Sequence, residues 1–299
     1  MFEEGQLYAP VTAGEDGQVR VHLADDHPGA HDPQYRARRD EIAARAIGRA
    51  PGDAIPQIAY TELENETWRT ISTVLAVKHE DLACAEFLDA AKLLRLPTDR
   101  VPPLDEAGAR LRGLTGFRFE PAAGVVAPAD FYGDLADGVF HSTQYLRHHS
   151  QPLYTPEPDA VHELVGHGNS LASERFARLY RQAGRAARRM TSDETLDVVS
   201  RVFWFTLEFG VLREHGELRA YGAGLLSSYG EIEEFRSAEL RSLDVHAMAT
   251  QPYDITHYQP VLFCAEGFEQ VEAVVGGWFD AADDELVRRT AAEPLALGR

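Results

Sequence analysis

The segment VFWFTLEFGVL (Val202–Leu212) is almost wholly apolar, yet it carries an acid, Glu208, in its middle. The preceding TSDETLDVVSR offers a capping Thr191 or Ser192 and acidic first-turn residues, so a helix leads into this segment. A helix apolar nearly all round is buried at the centre of a fold. An ionised carboxylate there costs several kcal/mol unless it is paired or binds a metal. The chain must therefore fold around a partner for Glu208.

TPEPDAVHELVGHG (Thr155–Gly168) supplies one. It resembles the zinc-protease pattern H-E-x-x-H with one residue too many, because His162 and His167 stand five apart. Steps of about 100° per residue would leave them about 140° apart on a straight α-helix. One of them must then sit at a helix start. Pro156 and Pro158 disfavour helix before them, and Asp159 can cap, which places His162 in the first turn. Two histidines and a carboxylate with open positions form the facial triad of non-haem Fe(II) oxygenases. Zinc held by two His and one Glu is the rival, and a zinc hydrolase the corresponding function, though the five-residue spacing disfavours it. His148 and His149 read as a loop pair.

The chain of 299 residues suits one helix-rich domain. A net charge of −19 argues against nucleic acid and anionic membrane as partners, and YRARR (Tyr35–Arg39) and RAARRM (Arg185–Met190) read as solvated helix faces. No apolar run reaches the ~18 residues of a membrane span, and the acidic N-terminus is no signal peptide. Two cysteines, Cys84 and Cys264, make no disulfide framework, so a cytoplasmic protein is expected. Residues 1–34 read as an extended arm, 35–280 as the catalytic body and 281–299 as a loose tail. Helices are expected from Pro33, after Thr61, and over NSLASERFARLYRQAG, with Gly184 as its stop. Gly113–Thr155 reads as loops and short strands, and GELRAYGAGLLSSYG as a strand pair with a Gly-rich turn.

FHSTQYLRHHSQPLYTPEPDAVHELVGH (Phe140–His167), FWFTLEFG (Phe203–Gly210) and AYGAGLLSSYGE (Ala220–Glu231) together resemble the tetrahydropterin-dependent aromatic amino acid hydroxylases. The likeness extends to DHPGAHDPQYRARR (Asp26–Arg39), ETWRT (Glu66–Thr70) and LTGFRFEPAAGVVAPADFYGDLADGVF (Leu114–Phe140). It covers roughly residues 25–275 in the family's motif order. The resemblance implies a mainly α (α+β) basket-like domain with a few short strands around one iron. It makes His162, His167 and Glu208 the Fe(II) ligands. Arg147 matches the residue that grips the substrate carboxylate, and Asp159 the acid supporting it. Tyr154, Thr155, Pro156, Gly224 and Ser227 match the lining of the amino acid site, and Trp204 and Phe209 its aromatic walls. Phe131 matches the ring that stacks on the pterin, with Gly124, Val126 and His141 nearby. Glu163 matches an acid near pterin and metal. Taken alone, Phe131, Trp204 and Phe209 would read as core aromatics.

The implied reaction is monooxygenation. A tetrahydropterin (tetrahydrobiopterin or a related one) donates two electrons, one atom of O₂ goes to the pterin and the other to the aromatic ring. Trp204, the Tyr154–Thr155 pair and the apolar Ile255 resemble the phenylalanine type more than the tyrosine or tryptophan types. Phenylalanine 4-hydroxylation to tyrosine is therefore expected. GNSLA after His167, Phe203 in place of a usual tyrosine, and the small Val125 and Val126 depart from the pattern, so 3-hydroxylation to meta-tyrosine is the alternative. A catalytically silent amino-acid- or pterin-binding protein is a further one. With no regulatory domain or heptad helix in the chain, a monomer is expected.

Overall fold

The computed structural model describes residues 9–14, 18–50, 52–254 and 257–292. Within the expected arm, β1 (Val11–Ala13) and β2 (Val19–Val21) form an antiparallel ladder. The Val21 N–H donates to Asp40 and docks it on α1 (Pro33–Ala46). Pro33 opens α1, and the Asp32 carboxylate caps it by accepting from the Gln34 and Tyr35 N–H groups. A reciprocal box between Thr61 and Glu64 starts α2 (Glu62–Leu82). Helices α3 (Ala85–Leu94) and α4 (Leu104–Thr115) follow. Then β3 (Arg118–Pro121) and β4 (Val139–Ser142) pair in parallel around α5 (Pro128–Leu135).

The helix capped by Asp159 winds as a π-helix over His162–Gly168 and continues into α6 (Asn169–Leu171). Next comes α7 (Glu174–Ala187), which runs through Gly184 instead of stopping there. A Cβ on Gly184 would lie 2.2 Å from the Ala136 nitrogen, so the glycine admits the end of α5 against α7. Ser192 caps α8 (Asp193–Phe203), which is followed by a second π-helical stretch, Trp204–Glu208. Phe203, Phe205 and Leu207 are buried, as a central helix requires.

The chain then forms β5 (Val211–Glu214), β6 (Glu217–Ala220), α9 (Ala223–Ser227), α10 (Glu231–Glu234), β7 (Glu239–Ser242), α11 (Val245–Thr250) and β8 (Val261–Ala265). The four strands make one sheet in the order β6-β5-β8-β7, antiparallel only between β5 and β6. The Gly-rich turn expected after Ala220 is instead the short helix α9. The last elements are α12 (Phe268–Gln270), a third π-helical stretch (Val271–Gly276), α13 (Gly277–Ala281) and α14 (Asp284–Ala292). Over Asp284–Ala292 the expected loose tail is thus corrected to a helix. Val287 is fully buried, and Asp284 accepts from the Thr191 N–H and the Thr195 hydroxyl, which ties α14 to the start of α8. Among the described residues the fold is helix-rich with three small sheets, and one large core extends from Trp68 on α2 to Val287.

Candidate metal centre

His162 lies in the first turn after Asp159, and the π winding resolves the five-residue spacing. Hydrogen bonds between residues five apart bring such residues back onto one face, and π-helical turns recur at functional sites. The two rings meet edge-on with centroids 4.6 Å apart, and their Nε2 atoms are 3.0 Å apart. Glu208, at the end of the other π stretch, places Oε1 2.9 Å from His167 Nε2 and Oε2 3.8 Å from His162 Nε2. The helix that ends at Glu208 and the helix that begins at Asp159 thus aim three donors at one point.

The opposite ring nitrogens are committed. His162 Nδ1 lies 2.9 Å from the Ser227 hydroxyl, which itself donates to the Ala223 carbonyl and so accepts from the imidazole. His167 Nδ1 lies 2.7 Å from the hydroxyl of wholly buried Tyr180. With its Nδ1–H engaged, His162 turns an Nε2 lone pair toward the carboxylate, and the Tyr180 oxygen can hold His167 the same way by accepting from its Nδ1. Lone pairs so close repel unless a cation lies between them. Ligands about 2.1 Å from one ion at right angles would be about 3 Å apart, so the residues fit a bound divalent metal. Burial, together with neighbouring His167, holds the His162 imidazolium down to a pKa of about 4, which keeps the ring neutral and ligating at pH 7. Burial pushes the Glu208 carboxyl up, but His167, His162 and the Gly224 N–H together leave the net shift downward.

Arg147 and Asp159 form a buried two-pronged pair, with Nε and Nη2 each 2.9 Å from a carboxylate oxygen. Asp159 also accepts from the Arg147, Val161 and His162 N–H groups. Both roles read from the sequence, cap and support, coexist in one carboxylate. Arg147 Nη1 makes no hydrogen bond among the described residues, which leaves a cationic donor for an anion. Trp204 packs on Phe209 (centroids 4.5 Å apart) and stacks on Tyr253 (4.6 Å), while its Nε1 donates to Gln259. A Cβ on Gly224 would lie 2.7 Å from Phe209 Cζ, so only glycine lets that ring sit there. Thr155 and Pro156 are half-buried, and the Thr155 hydroxyl donates to its own turn at the Glu157 carbonyl. Tyr154 is 56% exposed, and Ser227 touches His162. Ile255 lies outside the described residues.

Half-buried Phe131 on α5 meets Phe140 edge-on at 5.6 Å, and Phe140 in turn lies 4.6 Å from the His167 ring. One ring therefore separates Phe131 from the metal histidine. His141, on β4, pairs with Asp134 at 2.8 Å. Gly124 and half-buried Val126 follow β3, and Val11 of the N-terminal ladder sits against Gly124. Glu163 accepts from the Thr143 hydroxyl, and burial together with the Glu208 charge pushes its carboxyl well above the usual carboxylate range.

Sequence reasoning missed Tyr180, Thr143, Tyr253 and Gln259. Only Tyr180 had left a signal, a phenol on the apolar face of α7.

In this helix-rich fold two imidazoles and a carboxylate meet in the arrangement of a facial-triad metal site. The chain belongs to the biopterin-dependent aromatic amino acid hydroxylases, whose family model matches residues 17–286. It is 51% identical over 261 residues to a phenylalanine 3-hydroxylase of Streptomyces coeruleorubidus, covering 87% of this chain and 94% of that one. It is 41% identical over 261 residues to the phenylalanine-4-hydroxylase of Bos taurus, covering 85% of this chain but 58% of that one. The fold matches Chromobacterium violaceum phenylalanine hydroxylase with bound iron(III) and 7,8-dihydrobiopterin, with a TM-score of 0.70, 26% identity, and 79% and 85% of the two chains covered. Among the described residues no helix is long and apolar enough to cross a membrane.

Proposed function

We propose that the chain is an iron- and tetrahydropterin-dependent monooxygenase that hydroxylates the ring of L-phenylalanine. The observation that carries this reading is the convergence of His162, His167 and Glu208 with both Nδ1 atoms already engaged. Iron held by these three would supply the redox chemistry with O₂ that no side chain can. Arg147, steadied by Asp159, would grip the substrate carboxylate through Nη1. Trp204 and Phe209 would clamp the aromatic ring, and Gly224 leaves room for the clamp. Phe131 would offer its face to the pterin, and Glu163 would stand as an acid beside pterin and metal.

Pocket walls decide which ring carbon faces the oxidant, so ring position is a matter of positioning. The relative named phenylalanine 3-hydroxylase, 51% identical, favours meta-tyrosine over the para product. Phe203, where the family usually has tyrosine, supports the same choice: its ring packs on Tyr180, and the phenol beside the metal comes from α7. Two buried free cysteines suit a reducing cytoplasm, and we take the enzyme to be monomeric.

The test supplies the Fe(II)-loaded protein with phenylalanine, a tetrahydropterin and O₂ and separates the tyrosine isomers. Meta-tyrosine supports the full reading, and para-tyrosine overturns the ring position alone. No product from phenylalanine, tyrosine or tryptophan overturns the function. Elution from gel filtration at dimer or tetramer size overturns the monomer.

A further inference from the structure

Besides the triad, one other group of three metal-ligating side chains converges among the described residues: Asp32, His148 and His149. Asp32 spends Oδ1 on capping α1, while Oδ2 lies 3.2 Å from His148 Nε2. The Tyr35 N–H, foremost, holds the Asp32 carboxyl below its usual range, so it is an anion at neutral pH. His148 is buried, lies edge-on to Tyr35 at 4.9 Å, and places Nδ1 2.7 Å from the Ser150 hydroxyl. His149 is exposed, and its ring centroid lies 4.2 Å from that of His148. One donor atom from each of the three lies within 4.8 Å of the other two.

A hydrogen-bonded Asp–His pair accounts for Asp32 and His148. It leaves unexplained why the neighbouring exposed imidazole turns onto them. We propose that Asp32, His148 and His149 form a second divalent-cation site, outside the catalytic centre, for a borderline transition ion such as Zn²⁺, Ni²⁺ or Cu²⁺. Two imidazoles and one carboxylate suit such ions, whereas Mg²⁺ and Ca²⁺ favour oxygen throughout. On binding, the metal takes the Nε2 lone pair of His148, and the ring's N–H passes through solvent from Nε2 to Nδ1. The Ser150 hydroxyl accepts it there, and the longer contact from the Ser150 N–H to Nδ1, 3.3 Å, is given up. The ion ties the first turn of α1 to the loop that begins at Arg147.

The test uses tag-free protein carrying one Fe(II) per chain, titrated anaerobically with Zn²⁺ against a chromophoric chelator. Wild type is expected to take up one Zn²⁺ per chain beyond the iron and to gain about 5 °C in Tm. His149→Ala and Asp32→Asn are expected to lose at least about tenfold in zinc affinity, together with the Tm gain, while keeping iron and activity. Both should fold, since His149 is exposed and Asn still caps a helix. His167→Ala, with the triad broken, should still fill the second site, so failure of the triad reading and failure of this one are distinguishable. No zinc uptake by the iron-loaded wild type, or wild-type affinity in both variants, overturns the proposal.

Discussion

The Tyr180 hydroxyl lies 2.7 Å from His167 Nδ1, so α7 orients an imidazole carried by a different helix. Such outer partners fix tautomer and ring angle, and losing one typically costs 10–100-fold in metal affinity. Tyr180→Phe keeps the ring that packs on Phe117 and Phe203 and removes only the oxygen. Its Fe(II) or Co(II) affinity should fall by about that factor with little change in Tm. Competitive metal titration checks this, and unchanged affinity would show that His167 needs no such partner.

Asp159 serves two structures at once, the Arg147 guanidinium and the start of the metal helix. Asparagine can still cap but cannot neutralise a buried guanidinium. Asp159→Asn should lose about 3 kcal/mol in denaturant unfolding, because Arg147 is left charged and unpaired. KM for phenylalanine should rise with it. A stable variant with unaltered KM would separate Arg147 from substrate binding.

The glycine under Phe209 gives a narrower test. In Gly224→Ala the added methyl displaces the Phe209 ring, since 2.7 Å is too close for two carbons. The same methyl would lie 3.0 Å from the Glu208 carbonyl oxygen, so the backbone of that residue must give as well. About a tenfold rise in KM for phenylalanine is expected, with a smaller loss of metal affinity. Parallel losses in both would mean that the ring props up the metal site.

Glu231 is buried and accepts from the Gln259 N–H, and burial raises its carboxyl to a pKa of about 7. An unfolded chain ionises this group near the ordinary carboxylate value. Its contribution to stability is therefore present below that value and is lost as pH rises through 7. Glu231→Gln keeps the acceptor and removes the titration. It should be more stable than wild type at pH 8, by about 3 kcal/mol at most, and close to it at pH 4.5. Equal stability at both pH values would place a compensating charge near Glu231.

The candidate triad was legible because each of its residues violated a local expectation. Glu208 stood in an apolar run, and His162 and His167 were spaced for no ordinary helix. The caps at Thr61, Ser192 and Asp159 were legible too, since capping is local chemistry. The π winding was not, because its benefit lies in the metal geometry and not in the propensities of HELVGHG. Gly184 misled because its role is a close approach to Ala136, a contact 48 positions away in sequence. The helix Asp284–Ala292 hid for the same reason: its burial is against α8, and its own apolar face is only Val287 and a few neighbours. Gln259 and Tyr253 reach Trp204 only through the fold.

The central claim is that His162, His167 and Glu208 hold the one metal that the reaction uses. The most direct measurement strips the metal and restores one equivalent of Fe(II) or Zn(II) to wild type, His162→Ala, His167→Ala and Glu208→Gln. Each is then given phenylalanine, a tetrahydropterin and O₂, and hydroxylated product is counted per chain. Turnover is expected only in wild type with iron. Turnover with zinc, or wild-type turnover in any of the three variants, would contradict it.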